Sequence, residues 1–218
     1  ANKNIHPTFV QTLLSDDRYE ETQIIDSLKY LAKLTSTSFN EEYLKESIFS
    51  GEDLSGSWNA TDWLADKEVL MIGGGPSVLK NKEMIENFIK EKGCQVVFLN
   101  HNSIFSEEIA IATIVSNQSR VVFEAQLYRD IKHPIIMPHS RFKSILAEEL
   151  EGLEIYDYGL TLRQDTFEIQ DKGCVLDSCL AAAYALAILT QAQASNIILA
   201  GFDGYSLEEL SEINQSLK

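Results

Sequence analysis

Apolar positions follow two different periods along the chain. In residues 1–50 they recur every three or four positions, as at Ile24, Leu28 and Leu31, which is typical of amphipathic helices. From residue 67 onward, short apolar runs alternate with helical patterns. We expect strands at 68–72, 95–100, 109–116, 135–137, 153–158 and 196–200, and helices at about 80–92, 140–150 and 175–191.

This alternation predicts an α/β fold of the Rossmann-like kind, with a mainly parallel sheet and helices on both faces. The stretch before the first strand is rich in glycine and serine, as linkers are, and Trp58 and Trp63 would pin it to a core. We therefore predict three parts: a small helical segment at 1–50, a linker at 51–66 and a Rossmann-like domain of the nucleotide-binding type at 67–218.

The first strand of that domain runs into the turn Gly73-Gly74-Gly75-Pro76-Ser77. Glycines allow a ligand to approach the backbone, and the N–H groups and dipole at the start of a helix attract phosphate. The turn departs from the dinucleotide fingerprint, because Val78 stands where a third glycine is needed and Asn100, not an acidic residue, ends the second strand. We therefore predict a ligand-binding loop, but not a nicotinamide site.

Six further candidates for ligand binding stand near the expected ends of elements: Asn100, Asn102, Asn117, Gly173, Asp203 and Tyr205. The asparagine amides suit a base edge, a ribose or a sugar hydroxyl, although turn formation explains them equally well. Gly173 opens the third expected helix and would allow close approach of a ligand, while Asp177 and Ser178 would cap the first turn. Asp203 would hold Mg²⁺ or a hydroxyl, and Tyr205 would stack on a ring or donate to a phosphate.

Histidines and cysteines carry no recognisable metal or catalytic spacing. For His101, His133 and His139 a structural role is favoured, with His139 after Pro138 the best placed for chemistry. The three cysteines, Cys94, Cys174 and Cys179, contain no CxxC pair and are interpreted as buried thiols of a reducing compartment, which indicates the cytoplasm.

Composition narrows the choice of partners. The 218 residues carry a formal net charge of −15 at pH 7, which argues against nucleic acid and against an anionic membrane surface as partners. No apolar run reaches the length needed to span a bilayer. A small-molecule ligand is therefore the partner that we expect.

Residues 67–205 resemble two related groups, the bacterial sialyltransferases that use a CMP-activated sugar and the 6-hydroxymethylpterin diphosphokinase-like family. The resemblance rests on the loop 73–77, the glycine-led apolar stretch 173–189 and the strand that ends in Gly201-Phe-Asp203. It implies that Asn100 (or Asn102) and Asn117 contact a nucleotide, and that a diphosphokinase would use Mg²⁺ at Asp203. Neither family's pattern assigns a catalytic residue here, since no histidine follows Tyr205 and no second metal carboxylate is evident.

The start of the chain, Asn4-Ile-His-Pro-Thr-Phe-Val-Gln-Thr-Leu-Leu-Ser-Asp16, is similar to the tail of an aldolase domain of the HMG-CoA-lyase-like family. This implies a C-terminal fragment of a bacterial fusion protein, with an aldolase domain in cis and a role in surface-polysaccharide biosynthesis. Three functions stay open. They are nucleotide or nucleotide-sugar binding, Mg²⁺-dependent diphosphokinase-like or glycosyl transfer, and a non-catalytic domain that dimerises or positions the aldolase.

Overall fold

Six parallel strands form the centre of the computed structural model, which describes residues 55–117, 120, 121, 124, 127–142, 150–163, 165–177 and 180–204. The helical segment expected at 1–50 lies outside these residues, as do Ser178, Cys179 and Tyr205. The strands of the sheet are β1 (Glu68–Ile72), β2 (Gln95–Leu99), β3 (Ala112–Ile114), β4 (Ile135–Met137), β5 (Ile155–Asp157) and β9 (Asn196–Ala200). Their parallel arrangement confirms the predicted α/β, Rossmann-like fold.

The order of the strands is β5-β4-β3-β2-β1-β9. From β1 the chain builds the sheet outward to β5 and then returns to the other side of β1, where Met71 of β1 lies opposite Leu199 of β9. The direction of winding therefore reverses between β1 and β9. In open α/β sheets such a switch point leaves a crevice at the carboxyl ends of the strands, where ligands bind.

Helices cover both faces of the sheet because successive strand residues point to opposite sides. Helix α1 spans Pro76–Lys80, α2 Lys82–Lys92, α3 His139–Phe142 and α4 Ala181–Gln191. Leu70, Ile72 and Phe98 pack with the α2 residues Ile85, Phe88 and Ile89. Val69, Met71 and Val97 pack on the other face with the α4 residues Tyr184, Ala185 and Ile188.

A second, three-stranded sheet was not expected. It contains β6 (Gly159–Leu162), β7 (Phe167–Gln170) and β8 (Gly173–Leu176), in the order β6-β8-β7. The helix expected from about 175 therefore begins only at Ala181, and the prediction that it starts near Val175 is wrong. A short, fully buried apolar run such as 173–176 fits a strand as well as a helix, so its periodicity could not decide.

Several element boundaries also differ from the expectation. The strand expected at 109–116 is β3 at Ala112–Ile114, preceded by a 3-10 turn at Glu107–Ile109. The helix expected at 80–92 is the pair α1 and α2, and it ends as predicted at Gly93, which adopts a left-handed φ of 62°. A left-handed residue after the last turn is a common helix terminator.

Residues 55–66, interpreted above as part of a linker, pack against the sheet. Ala60 is fully buried and Leu64 is 3% exposed. Trp58 stacks on Tyr156 with ring centroids 5.0 Å apart and meets Trp63 edge-on at 5.3 Å. The two tryptophans thus attach this segment to the core, as expected. Within the described residues, no helix is long and apolar enough to cross a membrane.

Candidate functional site

Two loops meet at the switch point, one after β1 and one after β9. The N–H of Gly73 donates to the carbonyl of Ala200 at 2.8 Å, and the N–H of Gly75 donates to that of Gly201 at 3.0 Å. A Cβ on Gly75 would lie 2.7 Å from the Gly201 oxygen. Glycine is therefore needed where the two backbones touch, independently of any ligand.

Asp203 closes this pair of loops. Its exposed carboxylate accepts the N–H of Ser77 through Oδ2 at 2.8 Å, across 126 residues of sequence. Hydrogen bonds from the Ser77 hydroxyl and then from the Ser77 N–H hold the pKa of Asp203 below its usual range. The carboxylate thus sits at the start of α1, where a negative charge is favoured and where we had expected a phosphate.

Few donors of the glycine loop are left for a ligand. The N–H groups of Gly73, Gly75 and Ser77 are bonded within the protein, and Pro76 has none. The exposed Gly74 carries the remaining N–H of the loop, and among the described residues it meets no acceptor. The predicted phosphate cradle is therefore mostly occupied by the protein's own carbonyl and carboxylate oxygens.

The three asparagines at the neighbouring strand ends differ in whether their side-chain oxygens accept hydrogen bonds from the protein. Asn102 is buried, and its Oδ1 accepts the N–H groups of Ile104 and Phe105 at 2.9 and 3.1 Å, as in a turn. Asn117 is exposed and its Oδ1 accepts the N–H of Arg120 at 3.2 Å. Both amide oxygens therefore serve local structure.

Asn100 is different. It follows β2 directly, in the left-handed region with a φ of 63°, which asparagine tolerates better than most residues. Its side-chain oxygen is buried and has no hydrogen-bond partner among the described residues. A buried, unpaired acceptor is unusual in a native fold and indicates a place for a donor from outside.

A buried glutamate lies beside this strand end. Glu124 is 1% exposed and belongs to helical residues after β3. Its carboxylate accepts Arg120 Nη1 at 2.9 Å, Tyr128 Oη at 2.5 Å and, more weakly, the backbone N–H of His101 at 3.4 Å. This cluster was not predicted, because the spacing of Arg120, Glu124 and Tyr128 is visible in the sequence but the burial of Glu124 is not.

The histidines divide by location. Burial lowers the pKa of His101, whose ring packs edge-on to Tyr128 at the strand-end edge. His133 lies elsewhere, with Nε2 2.8 Å from Thr113 Oγ1 and Nδ1 3.2 Å from the Glu107 carbonyl, and burial lowers its pKa too. His133 therefore has a structural role, and His139, at the start of α3, shows no bonded partner among the described residues.

Asp157 forms a further junction, at the end of β5. The carboxylate is 6% exposed and accepts the N–H of Ser57 at 3.1 Å, the N–H of Ser140 at 3.0 Å and the Ser140 hydroxyl. These bonds tie the segment before β1 and the start of α3 to the sheet. All the donors come from the protein, so Asp157 is a structural residue.

Two predicted candidates belong to the small sheet. Gly173 begins β8, and a Cβ there would lie 3.0 Å from the carbonyl of Gly159 on the paired strand, so its close approach is to protein. Asp177 does not cap a helix. It follows β8 and accepts the N–H of Asp165 at 2.9 Å, while Leu180 precedes α4 without a side-chain cap. The cap prediction for Asp177 is wrong because the helix starts later.

Neither the cysteines nor a cluster of metal-binding side chains forms a second candidate site within the described residues. Cys94 and Cys174 are buried thiols that form no disulfide, and burial raises the pKa of Cys94. Within the described residues, no three or more His, Cys, Asp or Glu side chains meet as a metal site. For Mg²⁺ the fit is partial: Asp203 offers one carboxylate, and Mg²⁺ in proteins is held by one or two carboxylates together with ligand phosphates.

Fold and strand-end loops define this chain as a Rossmann-like α/β protein with its candidate site around the β1/β9 switch point. Comparison with models of known protein families and with curated protein sequences finds no match.

Proposed function

We propose that the chain is a nucleotide- or nucleotide-sugar-binding α/β domain, attached to an aldolase-like enzyme of surface-polysaccharide biosynthesis. One observation carries the binding function. The loops after β1 and β9 meet at the switch point of the sheet and present the exposed carboxylate of Asp203 there. Sites for nucleotides in such folds form at this position. The attachment to an aldolase rests on the sequence resemblance alone.

The roles of the site residues follow from their free atoms. Asp203 accepts the Ser77 N–H through Oδ2, and its exposed carboxylate keeps further acceptor capacity for a ribose or sugar hydroxyl. Gly74 offers one N–H to an oxygen of the ligand, and the unpaired Oδ1 of Asn100 accepts a donor from the base or sugar. When bound together with a nucleotide, Mg²⁺ would supply positive charge that offsets the phosphates.

Binding is tested by calorimetry and thermal shift with CMP, UDP, ATP and the CMP- and UDP-sugars. We expect at least one ligand to raise the melting temperature, and Asp203→Asn and Gly74→Val to weaken its binding. Asp66→Asn is the matched control, because Asp66 is an exposed aspartate before β1, at the opposite end of that strand. If no nucleotide or nucleotide-sugar binds, the proposed function is wrong.

A second function, a dimerisation or positioning domain, is supported by the edge at β9. Among the described residues β9 pairs only with β1, and Leu199, Phe202 and Met84 are 48%, 39% and 64% exposed. Ser77, Asn81 and these three residues line an open groove of about 320 Å³. Light scattering over a range of concentrations tests dimerisation: a dimer that Leu199→Lys dissociates would favour it, and a monomer at all concentrations would exclude it.

A further inference from the structure

We propose that Arg120, positioned by the buried Glu124, binds an oxyanion of the ligand, a phosphate or a carboxylate, at the carboxyl ends of β2 and β3. We call Arg120, Glu124 and Asn100 the Arg120 subsite. The inference rests on the proposed function for the identity of the whole ligand. The anion-binding step itself stands on the geometry of these three residues.

The carboxylate of Glu124 is held on both oxygens. Oε1 accepts from Arg120 Nη1, and Oε2 accepts from the Tyr128 hydroxyl and the His101 N–H. Removing a carboxylate from water costs several kcal/mol, and buried ion pairs are in general no more stabilising than apolar residues of the same volume. A gain in stability therefore does not explain why a glutamate that is 1% exposed lies here. The orientation that it gives to the Arg120 side chain does explain it.

Arg120 remains accessible while Glu124 orients it. The arginine side chain is 30% exposed, against 2% for that of Glu124. A guanidinium carries five N–H donors in a rigid plane, and Glu124 is its one partner among the described residues. The remaining donors suit two oxygens of a phosphate or carboxylate. In a chain of net charge −15, a positive group prepared in this way provides the counter-charge that an anionic ligand needs.

The position of Arg120 places it at the same edge of the sheet as the glycine loop. Its backbone N–H bonds to Asn117 after β3, and Glu124 contacts the backbone of His101 after β2. Asn100, with its unpaired oxygen, is the residue before His101. The subsite therefore combines a cation with a neighbouring acceptor.

The two ends of the site then present accessible groups of opposite charge, the Arg120 guanidinium and the Asp203 carboxylate. Strand β3 lies two strands from β1, which corresponds to about 10 Å at the usual spacing of strands. At the β1/β9 end Asp203 presents a carboxylate, which repels anions and accepts hydroxyls. We infer that the ligand lies with its phosphate or carboxylate towards Arg120 and its ribose or sugar hydroxyls towards Asp203.

The test uses the whole chain and inorganic pyrophosphate, which requires no knowledge of the natural ligand. Wild-type protein should bind pyrophosphate in calorimetry. Arg120→Gln alone would leave the buried carboxylate of Glu124 without its cationic partner, so the main variant is Arg120→Gln/Glu124→Gln, which removes both charges together. Because hydrogen bonds between charged groups are worth about 1.5–3 kcal/mol, we expect its affinity to fall about ten- to hundredfold. Arg120→Lys should lie between the two.

Arg129→Gln is the matched control, because Arg129 is an exposed arginine in the turn just after Tyr128. Its pyrophosphate affinity should match that of the wild type. The proposal is overturned if the wild type does not bind pyrophosphate, or if the double variant, folded by circular dichroism, binds it equally well.

A comparison of CMP with cytidine separates this inference from the proposed function. The phosphate should tighten binding in the wild type and in Arg129→Gln but not in the double variant. Pyrophosphate binding that depends on Arg120, with no binding of CMP or cytidine, would support the subsite and exclude the nucleotide. If cytidine binds, and if the double variant still binds CMP more tightly than cytidine, the nucleotide function would be supported and the subsite excluded.

Discussion

Replacing Gly201 by alanine probes the contact between the loops after β1 and β9. Gly201 has a φ of 76°, in the left-handed region. An added Cβ would collide with Cγ2 of the fully buried Val78 and lie 2.8 Å from the carbonyl oxygen of Gly73. Two separate penalties, backbone strain and overpacking, therefore act at one position.

Their sizes can be compared with those at a second glycine. Left-handed backbone costs an L-residue about 1–2 kcal/mol, and overpacking of a tight site about 1–3 kcal/mol. Gly93 has a φ of 62°, but an added Cβ there meets nothing within 4 Å. We expect Gly93→Ala to lower the free energy of unfolding by the first amount alone, and Gly201→Ala by about 2–5 kcal/mol, the sum of the two.

Urea unfolding monitored by circular dichroism measures both values, provided that the slope with denaturant is unchanged. The double variant Gly201→Ala/Val78→Ala should lose less stability than the sum of its single replacements, because Val78→Ala removes one of the colliding atoms. Equal destabilisation by Gly201→Ala and Gly93→Ala would refute the close approach of the two loops.

Three shorter predictions concern carboxylates and histidines. Asp157→Ala should lower the free energy of unfolding by about 2–4 kcal/mol in urea, since three donors lose their acceptor; a change below about 0.5 kcal/mol would contradict this role. Burial lowers the pKa of His101 and His133 in the folded protein. The stability that their neutral forms provide is therefore fully present above the unfolded pKa of about 6.5, and it is lost as the pH falls through the pKa values of the folded protein. Replacing both by glutamine should flatten the fall of stability between about pH 7 and pH 5, and an unchanged slope would show that their burial is not maintained. Ser77→Ala should raise the pKa of Asp203 towards its ordinary value in an NMR titration, because the hydroxyl is the largest cause of the shift; an unchanged pKa would mean that this hydroxyl does not donate to Asp203.

The sheet was predictable because each of its strands is a separate apolar run between turn residues. All six strands were expected within a few residues, and their alternation with helices indicated parallel pairing. The small sheet was not predictable in this way. The run Cys174-Val175-Leu176 is buried on both sides by tertiary contacts, and periodicity distinguishes a strand from a helix only where one side faces water.

The glycine loop shows why a motif is ambiguous in sequence alone. Gly73 and Gly75 fit a ligand cradle, but they also fit close contact with Gly201, which lies more than a hundred residues later. Only the pairing of β1 with β9 brings these positions together. The loop and Asp203 were both predicted to bind a ligand, but the sequence alone does not show that the carboxylate of Asp203 accepts the Ser77 N–H.

For Arg120 and Glu124, by contrast, nothing in the sequence indicates a functional site. Oppositely charged residues four positions apart on a helix are usually solvated and contribute a few tenths of a kcal/mol. Here the fold buries one of them beside the chain that follows β2 and leaves the other accessible. With a cation after β3 and a carboxylate after β9, the two strand ends have charges of opposite sign. A ligand that carries an anion and hydroxyl groups therefore has one favourable orientation across the sheet edge, which the comparison of CMP with cytidine tests directly.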